Sequence, residues 1–236
     1  MAPGRIDSKS ESESLLLVEG VNDCHAIHQI MWLVHKQEPL FGIHECGNDD
    51  GALDSLSARL VTTEPRQKIL GLVLDSDIAG LTEAEVIQAR LNQLVSRINP
   101  FYKLPSVFPE AGMILMPRQE RADAARLPKL GVWLMPNNKA YGMLEDLLSA
   151  SLRENEFKYT ETVVRKAKID QIATYRDTHL AKAIIRSFMA WQDPPDIQYI
   201  GQAIRNGTFT NLVSECDVFV HWLEGLFGKP RVFESN

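Results

Sequence analysis

Long apolar runs, cysteine and basic charge are all scarce in this 236-residue chain, and each scarcity narrows what it can be. The longest apolar stretches, residues 15–18 and 69–74, fall far short of the ~20 residues needed to cross a bilayer. No basic-then-apolar leader precedes them, so a soluble, cytoplasmic protein without a membrane partner is expected. There are three cysteines, Cys24, Cys46 and Cys216. Their odd number argues against a disulfide framework and their wide spacing against a zinc knuckle, which leaves small core or surface residues in a reducing compartment. The formal charge of −6 discourages a polyanion-binding surface. It does not exclude one, because a site that gathers carboxylates around cations recovers attraction locally.

What is present is 44% hydrophobic and long enough to bury a sizeable core, as one large domain or one domain with a helical extension. Residues 1–13, polar and rich in Ser and Glu, read as a flexible tail without chemistry. LLLVEG (15–20) reads as a buried strand, after which Asn22 caps a helix to about His35. LFGIHEC (40–46) is a second strand and residues 47–61 a loop and helix. KILGLVLDSD (68–77) is the clearest strand, and Thr82 with Glu85 forms a capping-box pattern ahead of a helix to about Ile98. GMILMP (112–117) and LGVWLMP (130–136) are short strands, each stopped by proline. Apolar strands alternating with helices imply an α/β domain over residues 14–150, with a mainly parallel sheet covered on both faces. Residues 151–236 carry helical periodicity, broken near Tyr159, Asp177, 193–195 and 206–207, and are expected to form a helical part packed on the core.

In such a sheet, ligands bind at the carboxyl ends of strands. Glu19 ends the first strand and is followed by Gly20, while Asp75 and Asp77 end the third. A strand tip lets a carboxylate escape burial and still be held rigidly. Asp75 and Asp77, two apart in extended chain, project to the same side. Close carboxylates repel, and a hard divalent cation relieves this, so Mg²⁺ or Mn²⁺ is the natural occupant. Gly20 and Gly80 would let a phosphate approach the backbone. Taken singly, Glu19 or Asp77 is as readily a turn former or cap. The pairing of VEG before a helix with LDSD on a later strand is far more specific than either half.

VEGVND (18–23) and GLVLDSDIAG (71–80) resemble the two signature motifs of the Toprim domain, shared by topoisomerases, bacterial primases and the overcoming-lysogenization-defect nucleases. The resemblance covers residues 15–148 and implies a Toprim-like, Rossmann-type sheet in which Glu19, Asp75 and Asp77 bind Mg²⁺. Asp23 matches an acidic position often found after the first motif, as a ligand or a supporting group. The segments WLMPNNKAYGMLEDLL (133–148) and HLAKAIIRSFMAWQDPP (179–195) are similar to small stand-alone bacterial Toprim proteins. By analogy with the nuclease branch, Glu145 or Asp146 would complete a second metal position and Lys182 would neutralise the scissile phosphate. For Glu145 and Asp146 a solvated helix face is the plainer alternative, and for Lys182 an ordinary surface lysine.

The resemblance implies a divalent-metal-dependent nuclease acting on DNA or RNA, with Glu19 a ligand or the base. A homo-oligomer and a separately encoded ABC-type ATPase partner are compatible with it, and an adjacent ATPase gene would point to antiviral defence. A primase zinc module is missing, and the chain is too short for the gated and tyrosine-bearing domains of a topoisomerase. The rival is a non-catalytic nucleic-acid-binding or regulatory subunit. A phosphatase using DSD as nucleophile and acid fits poorly, since a Glu-bearing strand comes first. His25 and His28 have a zinc-compatible spacing without a third ligand nearby, and packing or exposure is the default for them. Met31, Trp32, Trp191 and Trp222 read as core rather than a base-stacking platform. Arg153, Lys158, Arg165, Lys166 and Lys168 are the best candidates for contact with a nucleic-acid backbone.

Overall fold

A computed structural model describes residues 12–62, 67–197 and 199–230. The expected tail lies almost wholly outside these, except that the Glu13 carbonyl accepts the Lys68 and Ile69 N–H groups and so joins the sheet margin. Strands β1 (Ser14–Val18), β2 (Gly42–Glu45), β3 (Ile69–Leu74), β4 (Met113–Leu115) and β5 (Lys129–Leu134) form one sheet in the order β2-β1-β3-β5-β4. All neighbours are parallel except β4 with β5. Helices α1 (Val21–His35), α2 (Asp49–Val61) and α3 (Glu83–Ile98) connect the early strands, and α4 (Leu144–Ala150), α5 (Glu154–Ile169), α6 (Leu180–Ala190), α7 (Ile200–Arg205), α8 (Leu212–Glu215) and α9 (Asp217–Phe227) follow. None is long and apolar enough to cross a membrane.

The two faces of the sheet follow from strand alternation. Leu15, Leu17, Leu70, Leu72, Leu74, Leu130, Val132 and Leu134 enter a core with residues of α2 and α3. Leu16, Val18, Val73 and Trp133 enter the opposite core, shared by α1, α4 and the C-terminal helices through Leu223 and Phe227. The region after residue 150 therefore has no separate centre of its own: it supplies most of one face. Gly131 admits α9 to that face, since a Cβ there would stand 2.3 Å from the Leu226 side chain. Consecutive helices α1 and α2 leave to opposite faces between β1 and β3, which creates a crevice at the carboxyl ends of these two strands.

Several local expectations are corrected. Gly20, not Asn22, caps α1, because extended backbone persists to Gly20 and Asp23 bonds back to it. The paired strands are shorter than their apolar runs, leaving Glu19, Asp75 and Asp77 just beyond the ladder. Tyr159 does not break the chain; it lies inside α5, which is laced by the pairs Glu154–Lys158, Glu161–Arg165 and Lys166–Asp170 at i,i+4 spacing. Trp32 and Trp191 are 38% and 48% exposed, whereas Met31 and Trp222 are buried as expected. Cys24 and Cys216 are buried free thiols and Cys46 a partly buried one.

Helices α1 and α7 approach so closely at Gly201 that a Cβ there would lie 2.8 Å from the His25 carbonyl oxygen. Gly201→Ala is expected to lower stability by about 1–3 kcal/mol through overpacking. Urea denaturation checks this: the midpoint falls with the slope unchanged, and an unmoved midpoint would mean that the helices separate at no cost.

Candidate functional site

At the crevice, the Glu19 carboxylate Oε1 accepts the Asp75 backbone N–H at 2.7 Å, joining the tips of β1 and β3. Beyond Asp75 the chain runs through Ser76, which is fully buried, to Asp77; the two aspartates are half-buried. Ser76 and Gly142 exchange backbone hydrogen bonds of 2.7 and 2.9 Å. This pairing brings the start of α4, with Glu145 and Asp146, to the tip of β3. Asp146 Oδ2 accepts the Met143 N–H at 2.8 Å, and the Tyr141 hydroxyl donates to the Asp77 carbonyl at 3.0 Å. On the other side, Asp23 Oδ2 accepts the Gly20 N–H at 2.9 Å, so Asp23 has the capping role that acidic residues play in a first helical turn.

Asp75 is the electrostatic centre. Burial raises its pKa well above the ordinary carboxylate value, and Asp23, Glu19, Asp77 and Glu145 add to the rise as like charges. Glu19 is pushed up to about 7, chiefly by burial, with the Asp75 N–H and the Arg90 guanidinium opposing. Asp23 rises to about 6 for the same first reason, opposed by the Gly20 N–H and by Lys182. Glu145 is raised by burial and opposed by Lys182 and Arg186. It is only 4% exposed, which corrects the solvated-face alternative for this residue. Asp146 is also raised, first by burial, and the charge of Asp77 adds to the rise. The exposed Lys182 of α6 thus acts on Asp23 and Glu145, while Glu19, Asp23, Asp75, Asp77 and Glu145 share one field.

All five are hard oxygen donors on rigid elements, crowded by like charge, and that chemistry fits Mg²⁺ or Mn²⁺. Among the described residues, no three His, Cys, Asp or Glu side chains are gathered into a ready-made coordination set. Glu19 and Asp23 each turn one oxygen to a backbone N–H instead. The second oxygen of each takes no part in those two bonds.

Arg90 and Tyr141 belong to the site although Arg90 stands in no motif and Tyr141, inside the 133–148 segment, was not singled out as a site residue. Arg90 is 1% exposed; its Nε donates to the Asp75 carbonyl, and its Nη1 to Asp49 Oδ2 and to Gln93 Oε1, all at 2.9 Å. The readable signal was an arginine at helical spacing between Val86 and Leu94 on an apolar stripe. Other candidates do not assemble. His28 pairs with Glu38, and His25 packs against the Tyr199 ring at 5.5 Å. Arg153, Lys158, Arg165, Lys166 and Lys168 are paired with Glu156, Glu154, Glu161, Asp170 and Asp177, so α5 presents a self-neutralised surface rather than a basic stripe.

Residues 13–228 match the family described as Protein of unknown function (DUF3226). The chain belongs to the DUF3226 family. The match spans every strand of the sheet and all the acidic positions above, so in this DUF3226 chain the crevice is part of the family region itself. No curated protein and no solved structure matches the chain.

Two measurements check the electrostatics. Arg90→Leu removes the buried guanidinium from Asp49 and the Asp75 carbonyl and should cost about 2–3 kcal/mol in urea unfolding, the Asp49 side being discounted for its exposure; Arg90→Lys should restore little, lacking the fork. The second concerns pH. Raised carboxyls contribute stability that is fully present below their unfolded values of about 4 and is lost as pH climbs through about 6 and 7, the folded values of Asp23 and Glu19. Without divalent cations, the Tm of Asp75→Asn minus that of the wild type should therefore grow from about pH 5 to about pH 8. A difference that stays flat would show that the carboxyls are not crowded.

Proposed function

We propose that the crevice between β1 and β3 is a divalent-cation site for phosphodiester chemistry on nucleic acid, making the protein a Mg²⁺- or Mn²⁺-dependent nuclease. The observation that carries this reading is the Asp75 carboxyl, which feels the like charges of Glu19 and Asp77 at adjacent parallel strand tips and of Asp23 and Glu145 in the first turns of α1 and α4. A cluster of like charges at a topological switch point costs stability unless something positive occupies it. The resemblance of VEGVND and GLVLDSDIAG to the Toprim motifs supports the same assignment from the sequence side.

Glu19, Asp75 and Asp77 would hold the cation, with Asp23 and Glu145 at its margin. The bound ion would supply charge stabilisation at the phosphate and activation of water. Arg90 fixes the Asp75 backbone through its carbonyl, and the Tyr141 hydroxyl does the same for Asp77. Lys182, exposed beside Asp23 and Glu145, is placed to neutralise a phosphate oxygen. The alternative to a ligand role for Glu19 is that of the base: with its pKa pushed up to about 7, it is suited to take a proton from attacking water. A paired ABC-type ATPase and self-association remain part of the proposal through the family resemblance alone.

Cation binding must displace protons from these carboxyls. Mn²⁺ is therefore expected to raise the Tm more at about pH 8 than at about pH 5.5, and to do so no longer in Asp75→Asn. With Mn²⁺ the purified protein, alone or with an ATPase partner, should nick DNA or RNA, and Asp75→Asn should lower the rate at least about a hundredfold while the protein stays folded. Titration calorimetry showing no heat with Mg²⁺ or Mn²⁺ would instead favour the regulatory-subunit reading.

A further inference from the structure

The basic side chains of α5 and α6 differ in what they oppose. Those of α5 are taken up by carboxylates of the same helix or of the segment just after it. Residues 178–190 contain Lys182 and Arg186 and no acidic residue, and Asp177, just before them, is held by Lys168. Ile184, Ile185, Phe188 and Met189 bury the core side of α6. His179, Lys182 and Arg186, at i, i+3 and i+7, fall together along one edge of that side. Arg176 is tied to the same edge, its Nη2 donating to His179 Nε2 at 3.0 Å. The edge is turned to the crevice: Asp23 and Glu145 feel the charge of Lys182, and Glu145 also feels that of Arg186.

The spacing suits a polyanion. Lys182 and Arg186 stand ~6 Å apart along the axis at ~1.5 Å per residue. A nucleic-acid strand carries one charge per ~3.4 Å of its axis, so the pair spans neighbouring phosphates. Resting on the nuclease reading above, we propose that this edge of α6 is the track for the substrate's sugar-phosphate backbone. Lys182 meets the phosphate at the acidic cluster, while Arg186 on one side and His179 with Arg176 on the other hold the phosphates that flank it. Such contacts set the register of the strand and carry no sequence information. They also couple the strand to the cation. With its carboxyls ionised and no cation bound, the cluster repels a phosphate that the edge attracts. A divalent ion removes that opposition, so strand and cation each tighten the binding of the other.

Fluorescence anisotropy tests this with a short fluorescein-labelled DNA strand and the full-length protein at about pH 8, over a series of NaCl concentrations, with Ca²⁺ or with no divalent cation. Binding should tighten with Ca²⁺, and without it Asp75→Asn should bind more tightly than wild type. Arg186→Gln and, separately, the exposed Arg176→Gln should each weaken binding about fivefold and lower the slope of log affinity against log salt by about 0.7–1. Arg186→Lys should keep the slope. Lys158→Ala, an equal loss of charge on α5, should change neither quantity. An unchanged slope in folded Arg186→Gln or in Arg176→Gln, or an equal drop in Lys158→Ala, overturns the proposal. Displacement of the strand by poly-glutamate as readily as by unlabelled DNA overturns it in favour of an acidic peptide. Made in the cation-free Asp75→Asn background, the same variants keep the two readings apart. A lowered slope there, with no Mn²⁺ effect on the wild-type Tm and no cleavage, leaves the track and removes the nuclease; cleavage by wild type with every slope unmoved does the reverse.

Discussion

The hydrogen bond from the Asp75 amide to the Glu19 carboxylate is the constraint from which the site follows. It closes the tips of two parallel strands where the flanking helices diverge, and it holds the Glu19 carboxylate at the Asp75 backbone, within the field of the Asp75 carboxyl. Everything nearby answers the resulting crowding. Backbone N–H dipoles at Asp75 and Gly20 take one oxygen each from Glu19 and Asp23, Arg90 is sunk behind the strand end, and Lys182 faces the cluster from outside. Partial neutralisation of this kind keeps the protein folded while leaving the carboxyls more basic than they are in water.

The core of this arrangement was legible in the sequence because it depends on period and position alone. Alternation in LLLV and ILGLVL identifies buried strands, and in a doubly covered parallel sheet an acidic residue at the end of such a run has one place to go. Thr82 with Glu85 announced the start of α3 in the same local way, and the cap forms as read. Residues whose role depends on a distant neighbour were not legible. Glu145 is buried because Gly142 pairs with Ser76, and no local pattern encodes that bridge. Arg90 sits on the apolar stripe of α3, but its partners Asp75 and Asp49 come from other elements and no local pattern names them. Trp32 and Trp191 show the opposite failure: apolar spacing places them on a helix face, but only the packing of the other helices decides whether that face is covered.

The distribution of positive charge carries a further lesson. The basic residues of α5 stand out in sequence, yet each has an acidic partner within a turn or across the next loop, and such pairs contribute little beyond holding the helix. The lysine that bears on the acidic cluster is instead Lys182 on α6, which lies outside that basic run. Local density of basic residues is thus a poorer guide to an anion-facing surface than the identity of the carboxylates each one opposes.

The bridge between Ser76 and Gly142 also bears on how the molecule reaches its final state. Glu19, Asp75 and Glu145 come from the beginning, middle and far end of the sheet-forming region, and the last of them arrives only when a long stretch of chain has closed back onto β3. Closure over such a span is entropically slow and contributes to a high contact order. Repulsion from Glu145 is therefore added only when α4 docks, whereas that among Glu19, Asp23, Asp75 and Asp77 needs only β1, the start of α1 and the end of β3.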